Sequence, residues 1–134
     1  MNYVGFTAWM SSTVEVDNDE LIIFDEVISN IGGYFNPTQS VFICPFSGMY
    51  AFYFNVQATT DGPSATLKIV KENVQIGDAS ADDVDGAYNT GSGFVVTLCE
   101  AGEKVWIASN TNNEKINGGN MRTSFSGFLL AVPT

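Results

Sequence analysis

The feature that most constrains the fold is a segment that is apolar on both faces of an extended strand. After Gly48 one row of alternating side chains is aromatic or branched, and the second row is also largely apolar. The first row is Tyr50, Phe52, Phe54 and Val56, and the second is Met49, Ala51, Tyr53 and Asn55. Because successive side chains of a strand point to opposite faces, this strand needs cover on both sides. Segments 94–98 and 125–132 have the same character.

Two packed sheets hide only one face of each sheet, so the second apolar face predicts self-association. An unusually apolar monomer core is the alternative. Elsewhere the apolar runs are short and are separated by Gly, Asn, Asp, Pro and Ser, which is typical of an all-β fold. Residues 65–76 are predicted to form an exposed hairpin that turns at Glu72 and Asn73, with Lys68 and Lys71 protecting its edge. The length of 134 residues predicts one domain, residues 1–134.

Composition excludes several classes of function. Five basic residues against 15 acidic ones give a net charge of −10, which makes nucleic acid and anionic membrane surfaces poor partners. No apolar run reaches the roughly 18 residues that a membrane-spanning helix needs. The chain has no histidine, so it lacks the commonest general base and zinc ligand. We therefore expect no enzymatic activity.

The two cysteines, Cys44 and Cys99, are too few for a disulfide framework. Both positions are apolar in the pattern of their segments. The pair is either a single bridge or two buried thiols, and the sequence leaves both readings open.

A longer pattern runs through the aromatic segment. Its defined positions are Phe24, Asn30, Phe35, Phe42, Gly48, Tyr50, Phe52 and Phe54. This spacing resembles the one by which the globular heads of the complement C1q family are recognised. Segments 4–9, 98–106 and 124–130 resemble the family's opening strand, its Leu-x-x-Gly-Asp-x-Val-Trp turn and its closing strand, although Cys99 occupies the Leu position and Glu103 replaces the Asp. The resemblance covers essentially the whole chain.

The resemblance implies a ten-stranded jelly roll of the tumour-necrosis-factor superfamily that assembles as a homotrimer. Its inner sheet would contain the strand from Phe42 to Val56, the 94–99 strand and the closing strand. The residues expected in the core or the trimer interface are Phe42, Tyr50, Phe52, Tyr53, Phe54 and Phe128. The Gly-x-y collagen-like stalk of many family members is not present in the sequence, which we interpret as a stalk removed or never present.

An acidic loop is the candidate metal site. Its oxygen-bearing side chains are Asp82, Asp83, Asp85 and Asn89, and such ligands suit calcium. The resemblance implies calcium on the equivalent loop near the trimer axis, whereas solvated loop aspartates are the simpler alternative. No organic cofactor is expected.

By resemblance, the expected function is that of a secreted, extracellular module that binds microbial surface molecules or glycans as an innate immune recognition protein or lectin. Loops 59–64, 77–90 and 110–120 are the candidate contact surfaces. Their candidate ligand-binding residues are Asp61, Asp78, Asn112, Asn113 and Asn117. The alternatives are a signalling or synapse-organising ligand for a protein receptor and the trimerising head of a matrix protein.

Overall fold

The computed structural model describes residues 3–82 and 87–133, which form strands and loops. The strands are β1 (Gly5–Trp9), β2 (Val14–Val16), β3 (Glu26–Ile31), β4 (Phe35–Asn36), β5 (Val41–Ile43), β6 (Gly48–Gln57), β7 (Ala65–Lys71), β8 (Val74–Ala81), β9 (Thr90–Cys99), β10 (Lys104–Ser109), β11 (Glu114–Ile116) and β12 (Ser124–Ala131). Among these residues no helix is long and apolar enough to cross a membrane. The prediction of an all-β fold is confirmed.

Two five-stranded sheets pack against each other. The front sheet has the strand order β3-β1-β12-β6-β9, and the back sheet has the order β4-β5-β10-β7-β8. Together they supply the ten strands expected, and β2 and β11 add a short separate pair. Neighbouring strands of the front sheet are antiparallel, as in a sandwich with Greek-key connections.

The register gives the sandwich two distinct ends. β1 ends at Trp9 opposite Ser124, where β12 begins. β6 ends at Gln57 opposite Thr90, where β9 begins. These four positions define what we call the loop end. The opposite end, the base, holds Gly5 and the last residues of β12, so both ends of the described chain lie there.

Aromatic side chains in stacked and edge-to-face contact fill the space between the sheets. The Phe6 ring lies 4.6 Å from Phe35 and 4.9 Å from Phe125, measured between centroids. Phe42 from the back sheet contacts Phe52 from the front sheet at 5.7 Å. Each fully buried ring contributes about 1.5–3 kcal/mol by removal from water, so the regularly spaced aromatic residues specify the sandwich.

The two non-aromatic positions of the spacing pattern have structural roles. The Asn30 side chain donates to the Phe35 carbonyl at 2.8 Å and accepts from the Phe35 N–H at 3.2 Å. It thereby closes the turn between β3 and β4. Gly48 lies where an added Cβ would stand 2.4 Å from the Ala131 carbonyl oxygen, so only glycine lets β6 and β12 approach this closely.

One sequence prediction needs correction at Pro45. The predicted continuous strand from Phe42 to Val56 is two strands in different sheets, β5 in the back and β6 in the front. Pro45 has no N–H to donate to a ladder. The Cys44 N–H and carbonyl instead pair with Glu103 and Gly102 of the β9–β10 turn. Cys44 therefore follows a back-sheet strand and does not lie in the inner strand.

The predicted hairpin is confirmed, but its lysines do not lie at an edge. β7 and β8 pair on either side of the turn, with Lys71 opposite Val74. β8 is the edge strand, and β7 lies between β8 and β10. Lys68 instead forms an ion pair with Asp19, and Lys71 donates to the Leu98 carbonyl at 2.6 Å.

Candidate functional site

The outer face of the front sheet carries a continuous apolar surface, which we call the front strip. Its exposed members are Met49, Tyr53, Phe94, Val96, Leu98 and Phe128. Phe94 and Leu98 each expose 65% of their surface. Exposed apolar side chains that occur singly are normal, but contiguous patches of this kind mark interaction surfaces.

Strand register explains why these side chains form one surface. Tyr53 pairs with Phe94 on one row, and Met49 pairs with Leu98 on another. Between them, Ala51 stands opposite both Val96 and Phe128. Ala51 is only 1% exposed because its larger neighbours flank it on both sides. The strip is therefore ordered by backbone pairing and lies on rigid strands.

The predicted interface-or-core residues divide into two groups. Tyr53 and Phe128 belong to the front strip, whereas the others are buried between the sheets. The buried ones are Phe42, Tyr50, Phe52 and Phe54. The alternation that the sequence shows along β6 thus separates a core face from an outward apolar face.

Three candidate contact loops meet at the loop end. The β6–β7 loop follows Gln57, the β8–β9 loop precedes Thr90, and the β11–β12 loop precedes Ser124. The predicted bounds were too wide, because residues 77–81 belong to β8 and residues 114–116 form β11. Asp78 accordingly lies on an exposed edge strand, away from this end.

An open cavity of about 470 Å³ lies at the loop end. Its polar lining residues are Glu15, Asp17, Asp61, Asn113 and Lys115. The short β2–β11 pair forms its floor by placing Glu15 directly opposite Lys115. The cavity joins polar groups that lie about a hundred residues apart in the chain.

Hydrogen bonds hold the cavity walls together. The Lys115 ammonium group donates to the Asp61 carboxylate at 3.1 Å, and this bond lowers the pKa of Asp61. The Asn113 N–H donates to Asp17 at 3.0 Å. The arrangement offers carboxylate acceptors, one ammonium donor and an amide, which are groups suited to hydroxyl-rich or cationic ligands.

Two further predicted ligand residues support the loops internally. Asn112 accepts a bond from the Asn18 N–H at 3.1 Å. Asn117 is buried, and its amide donates to Gln57 at 2.7 Å and accepts from Thr13 at 3.1 Å. The Asn117 side chain is therefore engaged within the fold.

The predicted calcium residues lie on the β8–β9 loop. Asp83 and Asp85 lie outside the described residues. The Asn89 amide donates to the Asp82 carbonyl at 2.8 Å, and the Asn89 carbonyl accepts from the Ala58 N–H at 2.9 Å. These bonds close the base of the loop. Within residues 3–82 and 87–133, no three acidic or cysteine side chains gather closely enough to hold a metal ion.

Glu114 is a buried acid that sequence reasoning missed. Burial raises its pKa to about 7. Its carboxyl group contacts the Ser109 hydroxyl and the Thr66 N–H. The Ser109 hydroxyl also donates to the Thr111 carbonyl at 2.8 Å, so a protonated Glu114 can donate to the Ser109 oxygen and satisfy every group.

Comparison with known proteins bears directly on this architecture. The family model described as "C1q domain" matches residues 5–130. The chain belongs to the C1q domain family. One curated relative of this C1q domain is Protein HP-25 homolog 1 of Bos taurus, which is 32% identical over 109 residues. That match covers 81% of this chain and 50% of the relative.

Solved structures share the fold. The globular domain of zebrafish complement 1qA matches with a TM-score of 0.80 and 18% identity, covering 97% of this C1q domain and 99% of that chain. Eiger TNF from S. frugiperda matches with a TM-score of 0.80 at 8% identity, covering 100% and 96% of the two chains. Murine APRIL matches with a TM-score of 0.74 at 10% identity, covering 96% and 100%. The jelly roll that the sequence predicted is thereby confirmed.

Proposed function

We propose that this C1q domain forms the head of a secreted homotrimer that binds targets through its loop end. The observation that carries the proposal is the front strip, which the chain's own strands leave exposed. A second and a third copy of the chain would cover the front strip, because a closed ring buries the same surface on every subunit.

The distribution of charged side chains permits this assembly. The front strip and its central Ala51 contain no charged side chain. The net charge of −10 per chain is spread elsewhere, and exposed charges separated by more than about 8–10 Å are largely screened at physiological salt. Burial of the apolar side chains can then outweigh long-range repulsion.

The proposed targets are microbial surface molecules or glycans. The cavity beside Asp61 and Asn113 supplies acceptors and donors for hydroxyl groups, and the neighbouring loops enlarge the contact surface. Three copies of a weak site would gain affinity through avidity without new contacts. Such binding requires no catalysis.

We also propose that calcium binds the β8–β9 loop. The proposed ligands are Asp82, Asp83, Asp85 and Asn89, because a hard ion prefers carboxylate and amide oxygens. Its expected role is to neutralise carboxylates where copies of the loop approach each other.

Sedimentation velocity over a range of concentrations, with calcium and with EDTA, tests the assembly. We expect a species of three chains, with weaker association in EDTA. A monomer in both buffers at micromolar concentration would refute the trimer. A trimer unchanged by EDTA would refute only the calcium proposal.

A glycan array on the calcium-loaded sample tests the target class. The matched variant is Asp61→Asn with Lys115→Gln, which removes the ion pair but keeps polar side chains in the cavity. We expect binding to the array that this variant weakens at least tenfold. Binding only to protein receptors in a parallel screen would favour the alternative of a receptor ligand.

A further inference from the structure

Cys44 and Cys99 lie together at the base of the sandwich. Cys44 follows β5 of the back sheet, and Cys99 is the last residue of β9 at the edge of the front sheet. Both are buried, with exposures of 0% and 1%. Both are free thiols in the apolar core, and the backbone of Cys44 pairs with the turn that follows Cys99.

The backbone fixes this arrangement on both sides. The Cys44 N–H donates to the Glu103 carbonyl at 2.9 Å, and the Gly102 N–H donates to the Cys44 carbonyl at 2.7 Å. Cys99 stands opposite Gly48 at the start of β6. The Ser47 hydroxyl accepts from the Ala101 N–H at 3.0 Å. The segment from 44 to 48 is therefore docked along the turn that directly follows Cys99.

The two thiols lie close enough to shift each other's pKa. The neighbouring Cys99 thiol and burial raise the pKa of Cys44. The neighbouring Cys44 thiol, with Lys71 nearby, lowers the pKa of Cys99. Because both thiols are buried in the folded chain, a small disulfide reaches them only before the base has closed during folding.

We infer that Cys44 and Cys99 form a disulfide that joins the two sheets at the base when the chain folds under oxidising conditions. The oxidant is a small disulfide such as glutathione disulfide. Two S–H bonds and the glutathione S–S bond break, and one S–S bond between Cys44 and Cys99 and two glutathione thiols form. Because both cysteines are buried, the disulfide would resist reduction in the folded state.

The test is refolding of the full chain in a glutathione redox buffer, followed by peptide mapping without reduction. We expect one peptide pair linking Cys44 to Cys99 within a single chain, and a mass two hydrogens below that of the reduced chain. We also expect the melting temperature to exceed that of the reduced sample by roughly 5–15 °C.

The single variants Cys44→Ser and Cys99→Ser are the matched controls, because each retains one thiol. We expect these variants to carry glutathione or to link between chains after the same treatment, whereas the wild-type chain does neither. Two free thiols in the refolded wild type would overturn the inference. Bridges between chains, or a lower melting temperature for the oxidised form, would overturn it equally.

Discussion

Tyr53 and Phe94 stand directly opposite each other on β6 and β9, and both project from the outer face of the front sheet. A charge placed here would be buried if copies of the chain pack on this face. We expect Phe94→Asp to shift the sedimenting species from three chains to one at micromolar concentration. Each interface would lose about 1.5–3 kcal/mol of apolar burial and would also bury an unpaired carboxylate.

Val74→Asp is the control for this variant. Val74 is 62% exposed, about as much as Phe94, but it lies at the β7–β8 turn of the back sheet. The Val74→Asp variant should therefore sediment as the wild-type chain does. Equal dissociation by both variants would mean that general repulsion, and not loss of the front strip, separates the chains.

Glu114 gives a pH dependence with a defined sign. Its pKa rises from 4.5 to about 7 on folding, so the folded state prefers the protonated acid. The contribution of protonated Glu114 to the free energy of unfolding is therefore fully present below pH 4.5 and is lost as the pH rises through 7. The linked loss is about 3 kcal/mol between these limits, since one pKa unit corresponds to roughly 1.4 kcal/mol.

Glu114→Gln isolates this effect from that of the other carboxylates. The amide can donate to Ser109 and accept from Thr66, as the protonated acid does. Thermal unfolding at matched protein concentration should show similar stability for both proteins near pH 5. At pH 8 the variant should be the more stable by roughly 2–3 kcal/mol. Parallel pH curves would contradict the assignment.

Gly48→Ala should destabilise the base of the sandwich. The new methyl group would stand 2.4 Å from the Ala131 carbonyl oxygen, so backbone has to move. We expect a loss of about 1–3 kcal/mol, measured as a lower melting temperature. Gly5→Ala is the control, because its nearest neighbours lie at 3.5 Å, an ordinary contact distance.

Asn30→Ala should remove both hydrogen bonds to the Phe35 backbone. We expect a loss of about 1–3 kcal/mol, since the Phe35 groups are left without these partners. Asn36→Ala is the comparison, because Asn36 accepts from the Thr38 and Gln39 N–H groups in an exposed turn. The melting temperature should fall further for Asn30→Ala than for Asn36→Ala.

The sequence predicted the parts of the fold that depend on local patterns. The alternation along β6 separated a core face, represented by Phe52, from an outward face, represented by Tyr53. The turn between Lys71 and Val74 also followed from neighbouring residues. These features were accessible because strand periodicity and turn chemistry extend over only a few residues.

Features that depend on distant pairing were missed. Glu15 and Asp17 reach the loop-end cavity only because β2 pairs with β11, about a hundred residues later. The change of sheet at Pro45 depends on the partners that the β9–β10 turn provides for Cys44. Asn117 resembles a surface-loop residue in sequence, yet the fold turns it inward against Gln57.

The separation of the two ends has a practical consequence for tethering. Because β1 starts and β12 finishes at the base, a linker attached to either terminus would lead away from the cavity beside Asp61 and Lys115. Immobilising the protein through a terminal tag should therefore present every copy of that cavity to an incoming ligand in the same orientation.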